Sequence, residues 1–345
     1  EVIVDYRFDT QDFFDTSEKR DAIEAAAARF SRVVTSELSA VAPNTWRIGF
    51  THPGTGDRVE ISTASGPATD PIVSSSFPAA DEYGFPGLAA DEWLLFVGGH
   101  DLISAGVGGT GTGINFTSAF DDLEGPFRRG VISNTPANSA NDLPAWGGSV
   151  AFDTSEDWHF DLATPANTAK LDFYPIALHE IAHVLGVGTQ WNQWMSQSTA
   201  EGYFVGANAL AAYNRDHDAQ LGQLALGVGG DSHWRDNFHD SFIFEPGEPN
   251  LVGTVGEGLQ DLLLEPIADF STRVRRFELT NVDAASLVDL GWSILEPSSD
   301  PLDLNQDGNV DALDVDLACA QSADLSGYYV SIPSLPGDIN LNGEV

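Results

Sequence analysis

Apolar and polar positions along the chain mark out a few strong elements separated by long, turn-rich stretches. Between Ser17 and Leu38, Ile23, Phe30, Val33 and Val34 supply an apolar helical face, Ala25 to Ala28 favour the same conformation, and Ser17 is placed to cap it. Short apolar runs at Trp46 to Phe50, Val59 to Ser62 and Trp93 to Val97 predict strands. The glycines from Gly98 to Gly113 predict turns and loop, and the absence of a GxxxxGKS/T pattern argues against a phosphate cradle there. A further strand is predicted at Ser149 to Asp153, after the turn-rich Asn134 to Gly148. Phe173 to Val187 is the strongest helix, with Pro175 in its first turn and Gly186 and Gly188 at its end. Thr189 to Gly258 reads as irregular, and Asn281 to Leu290 as a closing helix capped by Asn281 and stopped by Gly291. The polar, proline-bearing Glu296 to Pro301 predicts a boundary: residues 1–295 form one domain, 296–302 a linker and 303–345 a second module.

The balance of 15 Lys and Arg against 52 Asp and Glu leaves a net charge of -37. Such a surface repels phosphate backbones and anionic lipid, so nucleic acid is not an expected partner. No apolar run reaches the roughly 18 residues needed to span a membrane. The single cysteine, Cys319, forbids an intramolecular disulfide. The chain starts at Glu1 with no basic and apolar leader, and the expectation is that a leader has been removed and the protein exported.

The chemistry concentrates at His179-Glu180-Ile181-Ala182-His183, an HExxH pattern on the predicted helix. Side chains four apart share a helical face, so both imidazoles can reach one zinc ion, with Glu180 beside them as general base. The competing reading is a plain exposed helix face. The apolar flanks Ile181, Ala182, Val184 and Leu185 argue instead for burial, and buried polar groups need partners that a metal supplies.

The continuation to Gly186 and Thr189 resembles the metzincin metalloprotease signature HExxHxxGxxH, with Thr189 where a third histidine would stand. A neutral hydroxyl is a poor zinc ligand, so His52, His100, His159, His217, His233 and His239 are the candidates to complete the set. His183 to Trp191, Tyr203 with Gly206 to Tyr213, and Gly229 to Arg235 resemble bacterial leishmanolysin-type metalloproteases. That resemblance implies a long insertion before a third zinc histidine in a His-Trp pair, which is His233 here, with His239 as its rival. It further implies an α+β fold: a metzincin-like zincin catalytic domain, a twisted sheet plus the active-site helix. Met195 lies too close to the helix to form the methionine turn that underlies zinc in this family. The likeness of Gln260 to Pro266 puts Leu264 in that position, with Phe244 as the alternative.

Upstream, Trp146 to Asp153 followed by Glu156 resembles the edge strand of matrixin-type metzincins, which binds an extended peptide by strand addition. Asp153 and Glu156 match positions that ligate calcium there, although an acidic surface turn accounts for both equally well. Ala151 stands where those enzymes carry a histidine for a second, structural zinc, so that ion is not expected.

Near the C-terminus, Asp303, Asn305, Asp307, Asn309, Asp311 and Asp314 place oxygen side chains in the order of a calcium loop, with Gly308 at its sharp turn. Carboxylates this dense repel one another unless a cation sits among them. The segment resembles a dockerin repeat, a small α-helical, EF-hand-like module. A second copy starts at Asp338, Asn340 and Asn342 and is incomplete at Val345. The resemblance implies a cohesin-like or cell-surface partner, and calcium ligation of this type suits an extracellular or cell-surface bacterial setting. The combined expectation is a zinc endopeptidase acting on protein or peptide substrates, with one catalytic zinc and structural calcium. The rival is a weakly active or inactive metzincin-fold adhesin or scaffold, which Thr189 and the missing methionine favour and the intact Glu180 opposes.

Overall fold

The computed structural model describes residues 1–38, 40, 47–62, 88–102, 109–112, 147–164, 170–188, 192–216, 220–227, 232–235, 262–264, 276 and 278–295. The chain divides into two compact units, Glu1–Phe244 with Asn250–Leu295, and Glu245–Pro249 with Glu296–Val345; every described residue lies in the first. The linker at 296–302 and the module at 303–345 therefore fall outside the described residues.

In chain order the described elements are β1 (Val2–Asp5), α1 (Ser17–Val33), β2 (Arg47–Thr51), β3 (Arg58–Ser62), β4 (Trp93–His100), β5 (Gly109–Thr112), β6 (Gly147–Asp153), β7 (Trp158–His159), β8 (Leu171–Asp172), α2 (Phe173–Val184), α3 (Asn192–Gln197), β9 (Tyr203–Phe204), α4 (Ala207–Asp216), β10 (Leu224–Ala225) and α5 (Asn281–Asp289). The principal sheet has the order β1-β4-β6-β5. β4 is parallel to both β1 and β6, whereas β5 runs antiparallel to β6. β4 and β6 are buried almost throughout, as inner parallel strands covered on both faces must be.

Several boundaries differ from the sequence expectation. Gly98 to His100 continue β4, and Gly109 to Thr112 form β5, where turns and loop were expected. A Cβ on Gly99 would lie 2.6 Å from the Phe13 ring, so glycine serves here to admit an aromatic side chain rather than to turn the chain. The strand expected at the edge, β6, is internal, and among the described strands the antiparallel edge is β5. Within the stretch from Thr189 to Gly258, expected to be irregular, the described residues form α3, α4 and the β9–β10 pair. The caps of α1 and α5 are Thr16 and Thr280, each one residue before the expected Ser17 and Asn281. α1 stops at Val33 rather than Leu38, and α2 at Val184 rather than Val187, with Gly186 at φ 105°.

The core sits between α1, α2 and the sheet, and aromatic rings dominate its centre. Phe152 of β6 meets Phe173, the first residue of α2, at a centroid distance of 4.5 Å. Phe14 lies 5.9 Å and Trp158 6.1 Å from the same Phe152 ring. The start of α2 is thereby fixed on the sheet, and the helix is buried over nearly all its length. At its other end Trp292 donates its indole N–H to the Leu185 carbonyl (2.8 Å), tying the helix terminus to the segment after α5. Phe152→Ala should cost about 3–5 kcal/mol, since Phe152 is fully buried and its neighbours cannot collapse into the void. Equilibrium urea unfolding reads this; a loss below about 1 kcal/mol would contradict the aromatic anchor.

Candidate metal centre

Three imidazoles converge on one point. His179 and His183 project from successive turns of α2, and His233 arrives from a segment fifty positions downstream of His183. Nε2 of His183 lies 3.0 Å from Nε2 of His179 and 3.2 Å from Nε2 of His233. Among the described residues this is the one cluster of three or more potential metal ligands, all ligand atoms lying within 4.8 Å of one another.

The opposite nitrogen of each ring is engaged. Nδ1 of His179 donates to the Leu263 carbonyl (2.7 Å), and Nδ1 of His183 to the Val187 carbonyl (2.7 Å). Nδ1 of His233 meets the Ser232 hydroxyl at 2.9 Å. A carbonyl can only accept, so the first two rings carry their proton on Nδ1 and expose a lone pair at Nε2. The Ser232 contact permits the same tautomer in His233. Lone pairs this close repel unless a cation lies among them. A tetrahedral zinc with Zn–N bonds of roughly 2.0–2.1 Å would hold its nitrogens about 3.3 Å apart, so these separations fit it. Such hydrogen bonds to the far nitrogens are how proteins orient metal-binding imidazoles.

Burial, reinforced by the charges of the other two imidazoles, holds His179 well below its ordinary pKa. Burial also lowers His183 against the pull of the Val187 carbonyl, and with the nearby His183 charge it lowers His233 to about 4. All three are therefore neutral, metal-competent bases near neutral pH. Glu180 follows His179 on the same helix and is 7% exposed.

His233 owes its position to its neighbours. Trp234 is fully buried, its ring 5.7 Å from Trp194 and 5.3 Å from Phe204. The Trp234 backbone N–H donates to the Leu264 carbonyl (2.9 Å), and the His233 carbonyl accepts from Gly227 N–H (2.8 Å). Gly188, at φ 68°, lets this segment approach the end of α2: a Cβ there would lie 1.8 Å from the Ser232 carbonyl oxygen.

Leu262, Leu263 and Leu264 are buried, and the carbonyls of Leu263 and Leu264 support the centre through His179 and Trp234 respectively. Met195 is 46% exposed on α3, away from any buried floor. Asp153 is buried and its Oδ1 accepts from Ser155 N–H and Oγ–H at 2.8 and 2.7 Å; neither it nor Glu156 belongs to a ligand cluster among the described residues. His52, His100 and His159 stand elsewhere, with His52 and His100 bonded around the turn after β2. Thr189, His217, His239 and Phe244 lie outside the described residues, as do Asp303, Asn305, Asp307, Asn309, Asp311, Asp314, Asp338, Asn340 and Asn342.

The sequence reading placed Asp283 in the closing helix but gave it no role; it is a buried carboxylate on α5 that accepts hydrogen bonds from the Trp234 indole and from Leu263 N–H. Burial raises its pKa, opposed by those hydrogen bonds and by Thr280. Its signal was present as Thr280-x-x-Asp283, the spacing of a capping box.

Residues 126–197 match the family model for matrixins (peptidase family M10), a span that includes β6 and α2 and ends before His233. No curated protein and no solved structure matches the chain. The match and the histidine cluster together support a zinc metalloprotease of the metzincin type, acting on peptide substrates. No helix among the described residues is long and apolar enough to cross a membrane.

In the metal-free protein the three imidazoles titrate below their ordinary pKa, whereas in the unfolded chain they titrate near 6.5. The unfolded chain therefore takes up protons first as pH falls. The stability contributed by the neutral rings is complete above about pH 6.5 and is lost progressively towards the region near 4 where His233 titrates. Urea unfolding of chelator-treated protein should give a lower midpoint at about pH 5 than at about pH 7.5; equal midpoints would contradict the burial of these rings.

Proposed function

We propose that the chain is an exported zinc endopeptidase in which His179, His183 and His233 hold the metal and Glu180 is the general base. The observation that carries this reading is the convergence of three Nε2 atoms, two of them separated by 3.0 and 3.2 Å from the third, with each Nδ1 engaged elsewhere. Three protein ligands leave one tetrahedral position open, the pattern of catalytic rather than structural zinc sites. Zinc bound there lowers the pKa of a water molecule and polarises the scissile carbonyl. The Glu180 carboxylate accepts a proton from the attacking water and returns it to the departing amine nitrogen.

The leishmanolysin-like subtype is supported by the separation of fifty positions from His183 to His233, a stretch that contains α3, α4 and the β9–β10 pair. In the HExxHxxGxxH signature the third ligand would stand at Thr189. Substrate would lie extended along β5, the antiparallel edge among the described strands, which packs beside α2. The loop from Asp303 to Asp314 would bind calcium, with the partial loop at Asp338, Asn340 and Asn342 as a weaker second site. This dockerin-like module would tether the enzyme to a cohesin-like or cell-surface partner. A second reading, a metzincin-fold adhesin or scaffold with little activity, draws on Leu264 in the place of the family methionine.

Glu180→Gln should keep one zinc per chain while casein hydrolysis falls by at least ~10²-fold, the scale of general-base catalysis. An undiminished rate would remove Glu180 from its role, and a zinc-loaded wild type without hydrolysis would favour the scaffold. Calcium chelation should speed amide hydrogen exchange in residues 303–314 while leaving α2 protected; unchanged exchange in that loop would remove the calcium assignment.

A further inference from the structure

Asp283 is 1% exposed, and its two carboxylate oxygens face four donors. Oδ1 accepts from the Trp234 indole N–H at 2.9 Å. Oδ2 accepts from Leu263 N–H at 3.1 Å, Thr280 N–H at 3.0 Å and the Thr280 hydroxyl at 2.6 Å. The two Thr280 bonds stay within the α5 cap, but the other two leave the helix for separate segments of the metal centre. Leu263 is also the residue whose carbonyl accepts the His179 Nδ1–H hydrogen bond, so one residue bonds Asp283 through its N–H and His179 through its carbonyl. Trp234 is joined through one peptide bond to His233.

We infer that Asp283 is a positioning residue of the metal centre, a single buried carboxylate that sets His179 and His233 in register with each other. This rests on the zinc reading of the histidine cluster given above. His183 is held independently, through the Val187 carbonyl just beyond the end of α2. The carboxylate at the third residue of α5 also faces the positive end of the helix, which favours its charged form against the cost of burial. A neutral amide could not serve equally: asparagine has one accepting oxygen, and whichever side it faces, its NH2 group meets a donor on the other.

The test uses the full-length, calcium-saturated chain and compares zinc dissociation constants, measured against a chromophoric chelator, for wild type, Asp283→Asn, Trp234→Phe and Thr280→Ala. Asp283→Asn should weaken zinc binding by about 10–100-fold, the range for partners that orient metal ligands. Trp234→Phe keeps the buried ring but removes the indole donor, and should shift affinity in the same direction if Asp283→Asn fails to fold. Thr280→Ala removes a bond to the same carboxylate without touching either histidine segment. It should lower the unfolding midpoint yet leave zinc affinity within about twofold. The visible absorption of the cobalt-substituted protein should change in Asp283→Asn and Trp234→Phe and not in Thr280→Ala. Zinc affinity that falls in all three variants in step with stability, or in none, overturns the positioning role. A wild type that takes up no zinc at one per chain instead overturns the zinc reading itself, before any variant is compared.

Discussion

Mutual repulsion among three imidazole lone pairs is the constraint around which the described structure is arranged. Neutral nitrogens held 3.0 and 3.2 Å apart with their protons turned away repel one another, and a cation between them relieves that repulsion. Much of the surrounding architecture serves to hold that arrangement. The Phe152–Phe173 contact fixes α2 on the sheet, and the Trp292–Leu185 bond closes its far end. Carbonyls of Leu263 and Val187 and the hydroxyl of Ser232 select the orientation of each ring. None of these supports is itself a ligand, yet without them the rings would rotate apart.

The third imidazole illustrates how a distant residue is brought home. His233 has no regular element of its own, and its neighbour Trp234 does the anchoring, with a ring packed on Trp194 and Phe204 and a backbone bonded to Leu264. Burying an indole contributes on the order of a few kcal/mol, far more than a surface histidine could supply for itself. The His-Trp pair thus joins an apolar anchor to a polar tip. Gly188 completes the geometry from the helix side by allowing backbone contact that any side chain would block.

The histidine pair on α2 was legible because helical periodicity and metal chemistry impose the same four-residue spacing. His233 was legible only through family likeness, since the residues between it and His183 carry no local rule that fixes their path. The glycines at 98 and 99 misled because composition cannot distinguish a glycine that turns a chain from one that makes room for a neighbour, the backbone of Phe8, Asp9 and Pro53 at Gly98 and the Phe13 ring at Gly99. α3 and α4 escaped notice because each is short, at 6 and 10 residues, and draws its stability from packing rather than pattern. The inner placement of β6 was hidden as well, because strand order depends on long-range pairing and every other residue of β5 is a glycine, which weakens its strand signal. Asp283 was visible as half of a capping box, but its outward bonds to Leu263 and Trp234 depend on tertiary structure alone.

The central claim is that one zinc ion is shared by three imidazoles, and X-ray absorption at the zinc edge of the purified chain addresses it most directly. The account predicts a four-coordinate shell of three imidazole nitrogens at about 2.0–2.1 Å and one light oxygen donor. A shell of carboxylate oxygens, a site with fewer than three imidazoles, or a chain that retains no zinc would contradict it.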